Sequence, residues 1–278
     1  MRKETAMSWA TNVSEAWSKI SFEKMPKEVV KKAKMRFLDI IGITVVASKM
    51  KFAGVVFDIS KKFGSGGEST VFGFGEKLPL ASAVFANGTF AHGIDFDDTH
   101  PPTMTHASVC TIPTSLLVGE FLGLAGKEVL EASIIGAEFM IRVSSVAAMG
   151  FYDRGFHVTA VSAPFGAAFT AGKLMKLKES EMANALGLCG SQTSGLMEPV
   201  WDGSWTKAFH SGWGQHAGVV SAMLAQQGYI GTRKVFEGEN GFYNAYAGKG
   251  GEHDFKKLID GIGEEWETLK LCIKPYPC

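Results

Sequence analysis

The sequence predicts an all-α protein, and three observations carry that prediction. Apolar residues recur at helical spacing over most of the chain. The β-branched runs that a parallel sheet would place between helices are missing. Several stretches, such as VLEASIIGAEFMIRVSSVAA, are apolar almost all round, as helices enclosed by other helices are. At 278 residues the chain can bury one large core.

From the N-terminus, MRKETAMSWATNVSEAW starts basic but shows neither an apolar h-region nor a small-residue cleavage site, so no secretory signal is expected. Pro26 suits a first helical turn. KEVVKKAKMRFLDIIGITVVAS follows as a helix with a broad apolar face of Val29, Val30, Ala33, Phe37, Ile40, Ile41 and Ile43, amphipathic at first and buried later. Residues 1–36 hold nine Lys/Arg against four Asp/Glu; aromatic residues do not alternate with the lysines, so this excess reads as a solvated helix face. A second helix is expected near 51–63. GSGGESTVFGFGEKLP then reads as a loop with a short extended piece, and its glycines fit neither a P-loop nor a dinucleotide fingerprint. Further helices are predicted at about 79–93, 107–125, 127–149, 158–176, 180–193 and 207–229. Residues 107–126 could span a bilayer by length, but Pro113, Glu120 and many small residues favour a buried core helix.

Composition excludes whole classes of function. With 28 Lys+Arg against 28 Asp+Glu the formal net charge is zero, and 46% of residues are hydrophobic, which fits neither a nucleic-acid binder nor a disordered tail. The 33 glycines are scattered rather than periodic. Cys110, Cys189, Cys272 and Cys278 lie far apart with no CxxC pair, which excludes a zinc ribbon or dense disulfide framework and leads us to expect a reducing, cytoplasmic setting.

The charges are segregated, and their distribution marks candidate chemistry. From Leu78 to Gly126 there is no Lys or Arg, yet AHGIDFDDTHPPTMTHAS holds three aspartates in four residues with His92, His100 and His106. Clustered carboxylates without cations raise one another's pKa unless hydrogen bonds, a metal or a distant cation intervene. Pro101 and Pro102 make this a loop between two buried helices. Three readings stand: Asp97 and Asp98 cap a helix end while His92 packs in its helix; His and Asp hold a divalent ion; or Asp95, Thr99 and His106 form a metal-free acid/base site. Two distant segments favour the last. His157 precedes a helix, where the positive end of the dipole disfavours its protonation and keeps it a base near neutral pH. Lys207, the only Lys or Arg between Lys178 and Arg233, arrives with His210 at the start of another apolar helix amid Trp201, Trp205 and Trp213; it is a snorkelling surface lysine or a specific anion partner.

The strings FANGTFAHGIDFDDTH, GFHVTA with FGAAFTAGKLM, ANALGL, TKAFHSGWGQHAGV, GYIGTRKVFEGENGF and KPYPC, in this order, make nearly the whole chain resemble the helical N-terminal domain of the MmgE/PrpD family, which includes 2-methylcitrate dehydratases, cis-aconitate decarboxylases and iminodisuccinate epimerases. The resemblance implies a lyase that needs no metal and no organic cofactor and moves a proton beside a carboxylate of a small di- or tricarboxylate. Epimerase chemistry and a non-catalytic carboxylate-binding or dimerisation module are the alternatives. It further implies a catalytic set of Asp95, His106, His157 and Lys207, with Thr99, His106, Lys207 and His210 binding substrate, and a homodimer with no nucleic-acid or membrane partner. On this basis residues 1–270 are expected to form the helical domain, with 271–278 beginning an α/β lid domain that the chain does not carry; a separate polypeptide would supply the lid, and activity without it would be weak.

Overall fold

The computed structural model describes residues 8–64, 66–147 and 149–276. The first seven residues, with part of the basic excess, and Pro277 and Cys278 of the KPYPC string lie outside the described residues. Along the chain run α1 (Trp9–Trp17), α2 (Lys27–Ala47), α3 (Lys51–Lys62), a hairpin of β1 (Ser69–Val71) and β2 (Glu76–Leu78), α4 (Leu80–Ala91), α5 (Ser108–Leu122), α6 (Gly126–Ser145), α7 (Gly150–Asp153), α8 (Val158–Leu174), α9 (Glu179–Cys189), α10 (Pro199–Asp202), α11 (Thr206–Gln226) and α12 (Phe242–Tyr246). The fold is all-α, and the predicted helices are present. The hairpin is antiparallel, with Thr70 opposite Lys77, where the sequence suggested a short extended piece. The periodic pattern did not single out α1. Ser8 caps this helix, accepting from Thr11 N, and Trp17 carries it into the core, where its indole N–H donates to the Leu258 carbonyl at 2.9 Å.

The central element is α8. Every residue from Val158 to Gly172 is buried, and the helix packs against α5, α6, α9 and α11. Small residues make such close packing possible. A Cβ added to Gly218 of α11 would stand 2.5 Å from the Pro164 carbonyl oxygen of α8, and one added to Gly212 would stand 2.3 Å from the Phe85 carbonyl oxygen of α4. Pro113 sits inside α5 without ending it. Its ring supplies no N–H to the Val109 carbonyl four residues back, and the side-chain amide of Gln215 donates there instead at 3.0 Å. Phe139, Phe165 and Phe169 fill the space around α8 beside Trp17, each contributing roughly 1.5–3 kcal/mol by burial.

Two expectations for α2 change. Its C-terminal half is not buried all round: Val29, Ala33, Ile40 and Ile43 face the core, but Leu38 is 78% and Val46 58% exposed, because no element of the described chain covers that side. Arg36, counted among the solvated cations, is instead buried, donating to the Thr268 carbonyl and lying 3.8 Å from Asp98. Within residues 107–126, α5 is the expected core helix, buried from Ser108 to Gly119 apart from half-buried Leu116, and it ends exposed at Phe121 and Leu122. Among the described residues no single helix is long and apolar enough to cross a membrane. Cys110, Cys189 and Cys272 are free thiols.

Candidate active site

The α4–α5 connection supplies half of the site. His92 ends α4, and the chain turns at Asp95, whose φ of 58° places a non-glycine residue in the left-handed region that Asp tolerates better than most. A tight reversal follows at Pro101–Met104, closed by His100 N–H donating to the Thr105 carbonyl. Thr99 is then fixed from outside: its N–H donates to the Cys272 carbonyl at 3.0 Å, and the Cys272 N–H returns the bond at 2.9 Å. Asp98 caps α5 from this loop, accepting from Ser108 Oγ at 2.5 Å and from Ser108 N at 3.3 Å. That is the capping role weighed for this acidic cluster, and it applies to Asp98 alone.

The tract without cations is neutralised by cations brought from elsewhere. Arg36 of α2 faces Asp98. Lys207 of α11 donates to Asp95 Oδ2 at 2.5 Å, and Lys274 donates to Asp95 Oδ1 at 2.9 Å and to its backbone carbonyl at 3.0 Å. His92 Nδ1 lies 3.0 Å from each oxygen of Asp97. Burial would raise the Asp97 carboxyl, but His92 and His106 outweigh it and hold the group well below the usual carboxylate range. Burial also pushes on Asp95, where His92 and the two lysines prevail and the net shift is downward. Asp98 goes the other way: burial, only partly offset by Arg36, pushes it up to about 6.

The histidines converge from three elements. His106 precedes α5, with its N–H bonded to Thr159 Oγ1 of α8 at 3.0 Å. Its Nδ1 lies 2.9 Å from the Asp98 carbonyl oxygen, which can only accept, so Nδ1 carries the proton and Nε2 holds the lone pair. Thr99 Oγ1, 3.1 Å from the same Nδ1, braces the ring. Burial holds His106 down at about 3, so it stands neutral. His157 stands immediately before α8, as predicted, and is buried. Its pKa is well below the ordinary value, with burial as the largest cause and neighbouring charges on His92, His106, His210 and Lys207 behind it. His210, in the first turns of α11, places Nδ1 3.1 Å from His157 Nδ1 and is held at about 4, again mainly by burial.

Thr99, His106, His157 and Lys207 form the polar wall of a cavity of about 290 Å³, faced by an apolar wall that includes Tyr152, Met197 and Trp201. Asp95 and His210 stand one contact behind this wall, touching Lys207 and His157. Thus the structure brings all six sequence-predicted residues into one site, in two ranks. Lys207, left open as a surface lysine or an anion partner, is held by an anion of the chain itself. Ring nitrogens of His92, His106 and His157 lie within 4.8 Å of one another, and His92 Nε2 is buried without a partner. This is donor chemistry that suits a divalent ion, which a tetrahedral site would hold at about 2.0–2.1 Å from each nitrogen. Sequence reasoning missed Lys274. It lies 179 residues from Asp95 in an aperiodic segment, and the KPYPC string was the one signal that could have flagged it.

Cis-aconitate decarboxylase of Aspergillus terreus is 29% identical over 97% of this chain and 56% of its own length. Human cis-aconitate decarboxylase is 29% identical over 79% of this chain and 46% of its own, and a cis-aconitate decarboxylase-like protein, oryM, of Aspergillus oryzae is 26% identical over 91% and 55%. The chain thus spans about half the length of the curated relatives it matches. The sequence profile of the MmgE/PrpD N-terminal domain matches residues 12–253, and the chain belongs to the MmgE/PrpD family.

Proposed function

We propose that this chain forms the helical, proton-transferring half of a lyase acting on a small di- or tricarboxylate, with decarboxylation of cis-aconitate as the leading reaction and dehydration of a 2-methylcitrate-type substrate as its close alternative. The observation that carries this reading is the polar wall itself: a lysine ammonium and neutral, buried imidazoles side by side on one cavity. Lys207 supplies positive charge for a substrate carboxylate, and Thr99 a hydroxyl donor. Loss of CO2 breaks a carbon–carbon bond and leaves an electron pair that must take up a proton. His157, neutral near pH 7, can give or accept that proton at Nε2, since its Nδ1 is turned to His210. His106 offers a second neutral lone pair at Nε2. Asp95 orients Lys207. In this reading neither metal nor organic cofactor takes part, in line with the family resemblance.

The remaining half of the relatives' length supports a further part of the proposal, that a second folded unit closes over the cavity and excludes water. The exposed rim at Met104, Val200 and Trp201 suits such a cover. We also propose that the chain pairs with a second copy through its helical face in a cytoplasmic setting, consistent with its free thiols. Release of CO2 and appearance of the decarboxylated product from cis-aconitate, with the chain alone and with a separately expressed C-terminal half of a full-length relative, test the reading. Turnover that disappears in Lys207→Met supports it. Absence of turnover with both halves present, for cis-aconitate and 2-methylcitrate alike, rejects it, and ligand-induced thermal stabilisation without turnover would point to a carboxylate-binding module.

A further inference from the structure

His157 and His210 meet in an arrangement that does not follow from substrate binding. Their Nδ1 atoms lie 3.1 Å apart, the rings 5.2 Å between centroids and tilted by 41°, and both residues are buried. A nitrogen–nitrogen hydrogen bond needs one proton and one lone pair. Two neutral imidazoles can satisfy it only if they adopt opposite tautomers, one with the proton at Nδ1 and the other at Nε2. The lower part of the site shows the contrasting case: the Asp98 carbonyl holds His106 in a single tautomer, because a carbonyl oxygen only accepts. His210 can do either.

We propose that His210 is a positioning residue that sets the tautomer of His157, so that the cavity-facing Nε2 of His157 is an acid when His210 donates and a base when His210 accepts. This deepens the proposed lyase reading and rests on it for its catalytic consequence, but the pairing itself does not. When His157 Nε2–H gives its proton to a substrate carbon, its Nδ1 must gain one; His210 Nδ1–H supplies it, and a water molecule supplies the proton that restores His210 at its own Nε2. Every proton is accounted for, and both rings end neutral with their tautomers exchanged. The buried pair therefore avoids accumulating an imidazolium, which the surroundings oppose: His92 stacks over His157 at 5.6 Å and 8°, His106 lies 6.0 Å away, and Lys207 lines the same cavity. His157 lines the cavity and His210 stands behind it, so His210 acts on a substrate through His157.

Long-range proton–nitrogen spectra of the full chain labelled with 15N-histidine, assigned with single His variants, test the pairing without reference to turnover. The expected result at pH 7 is one Nδ1–H ring and one Nε2–H ring for residues 157 and 210. The same tautomer on both, or an imidazolium on either, overturns the proposal. In the assay of the closed, two-half enzyme, His210→Asn keeps an amide that can donate or accept at the Nδ1 position, whereas His210→Phe keeps only a ring. The expected outcome is a kcat about 10²-fold lower in His210→Phe with KM unchanged, largely restored in His210→Asn. Equal losses in both variants, or a loss confined to KM, overturn it. Opposite tautomers in a chain that turns over no polycarboxylate would leave the pair standing and dismiss the lyase reading instead.

Discussion

Lys207 Nζ donates to Oδ2 of Asp95 at 2.5 Å. The ammonium that stands alone in 54 residues of sequence is therefore partnered across 112 positions of chain. In the proposed reaction an incoming substrate carboxylate would meet a lysine whose position is already set, and would share rather than create the ion pair. Orienting a long, flexible side chain in advance removes much of the entropy that binding would otherwise cost.

Replacing Lys207 by Met keeps the stem and removes the charge. A charge-assisted hydrogen bond of about 1.5–3 kcal/mol corresponds to roughly 10- to 150-fold in affinity. Calorimetric titration with cis-aconitate should show a loss of that size, and Lys207→Arg should recover only part of it, because a planar fork cannot reproduce the ammonium's approach to Asp95. Unchanged affinity in Lys207→Met would remove Lys207 from the binding site.

The buried histidines tie stability to pH. His106 and His210, held at about 3 and about 4 chiefly by burial, and His157, also depressed, titrate near 6.5 once unfolded. Between those limits the unfolded chain takes up protons that the folded chain refuses. Their contribution is complete above pH 6.5 and is lost as pH falls toward 4. Asp98 opposes this with one proton: pushed up to about 6 by burial, it adds stability at low pH that is lost as pH rises through 6. His100 is depressed by burial as well and Asp39 is raised by it, so four histidines outweigh two carboxyls and stability should fall from pH 6.5 to 5 by on the order of 1–3 kcal/mol per pH unit. Urea midpoints measured across that range check it. The slope should be shallower in His106→Gln, and an identical slope would contradict the depressed state of His106.

Asp98 separates structure from chemistry. Its carboxylate holds Ser108 and faces the buried Arg36, while its backbone carbonyl fixes the His106 tautomer. Asp98→Asn should destabilise the chain by about 3 kcal/mol, because Arg36 loses its nearest counter-charge in a buried setting. The carbonyl remains, so the nitrogen spectrum of His106 should still show the Nδ1–H form. Loss of that tautomer in a folded Asp98→Asn chain would mean that the side chain, not the carbonyl, positions the ring.

Much of this was legible from spacing. The helices α4, α5 and α8 were legible as apolar stretches of helical length, because they are buried on nearly all faces, and the absence of cations between Lys77 and Lys127 pointed to the α4–α5 loop. What spacing could not show is where neutralising charges come from. Arg36 reads as one more cation in a basic run until folding buries it against Asp98, and Lys274 has no periodic context at all. The depressed state of His157 was anticipated from the helix dipole, whereas its largest cause is burial, a property of the whole assembly rather than of one helix end. The exposed side of α2 was missed because an apolar residue at helical spacing looks the same whether or not another element covers it.

The packing of α11 makes a final test of the fold that holds the site. Lys207 and His210 project correctly only if α11 lies close against α4 and α8, and Gly212, Gly214 and Gly218 set that distance. A methyl at Gly212 would stand 2.1 Å from Thr89 Oγ1 and 2.3 Å from the Phe85 carbonyl oxygen, a backbone atom that cannot turn aside. Gly42 of α2 is also helical, but a methyl there meets nothing within 4 Å. Gly212→Ala should therefore cost about 1–3 kcal/mol through overpacking and shift α11 along with Lys207. Gly42→Ala should instead stabilise by about 0.5–1 kcal/mol, through the lower conformational freedom of the unfolded chain and the better helix propensity of alanine. Denaturant unfolding of the two variants beside the parent measures both signs at once. If Gly212→Ala unfolds at the parent's midpoint, then α4 and α11 do not cross as closely as described, and the placement of Lys207 beside Asp95 loses its support.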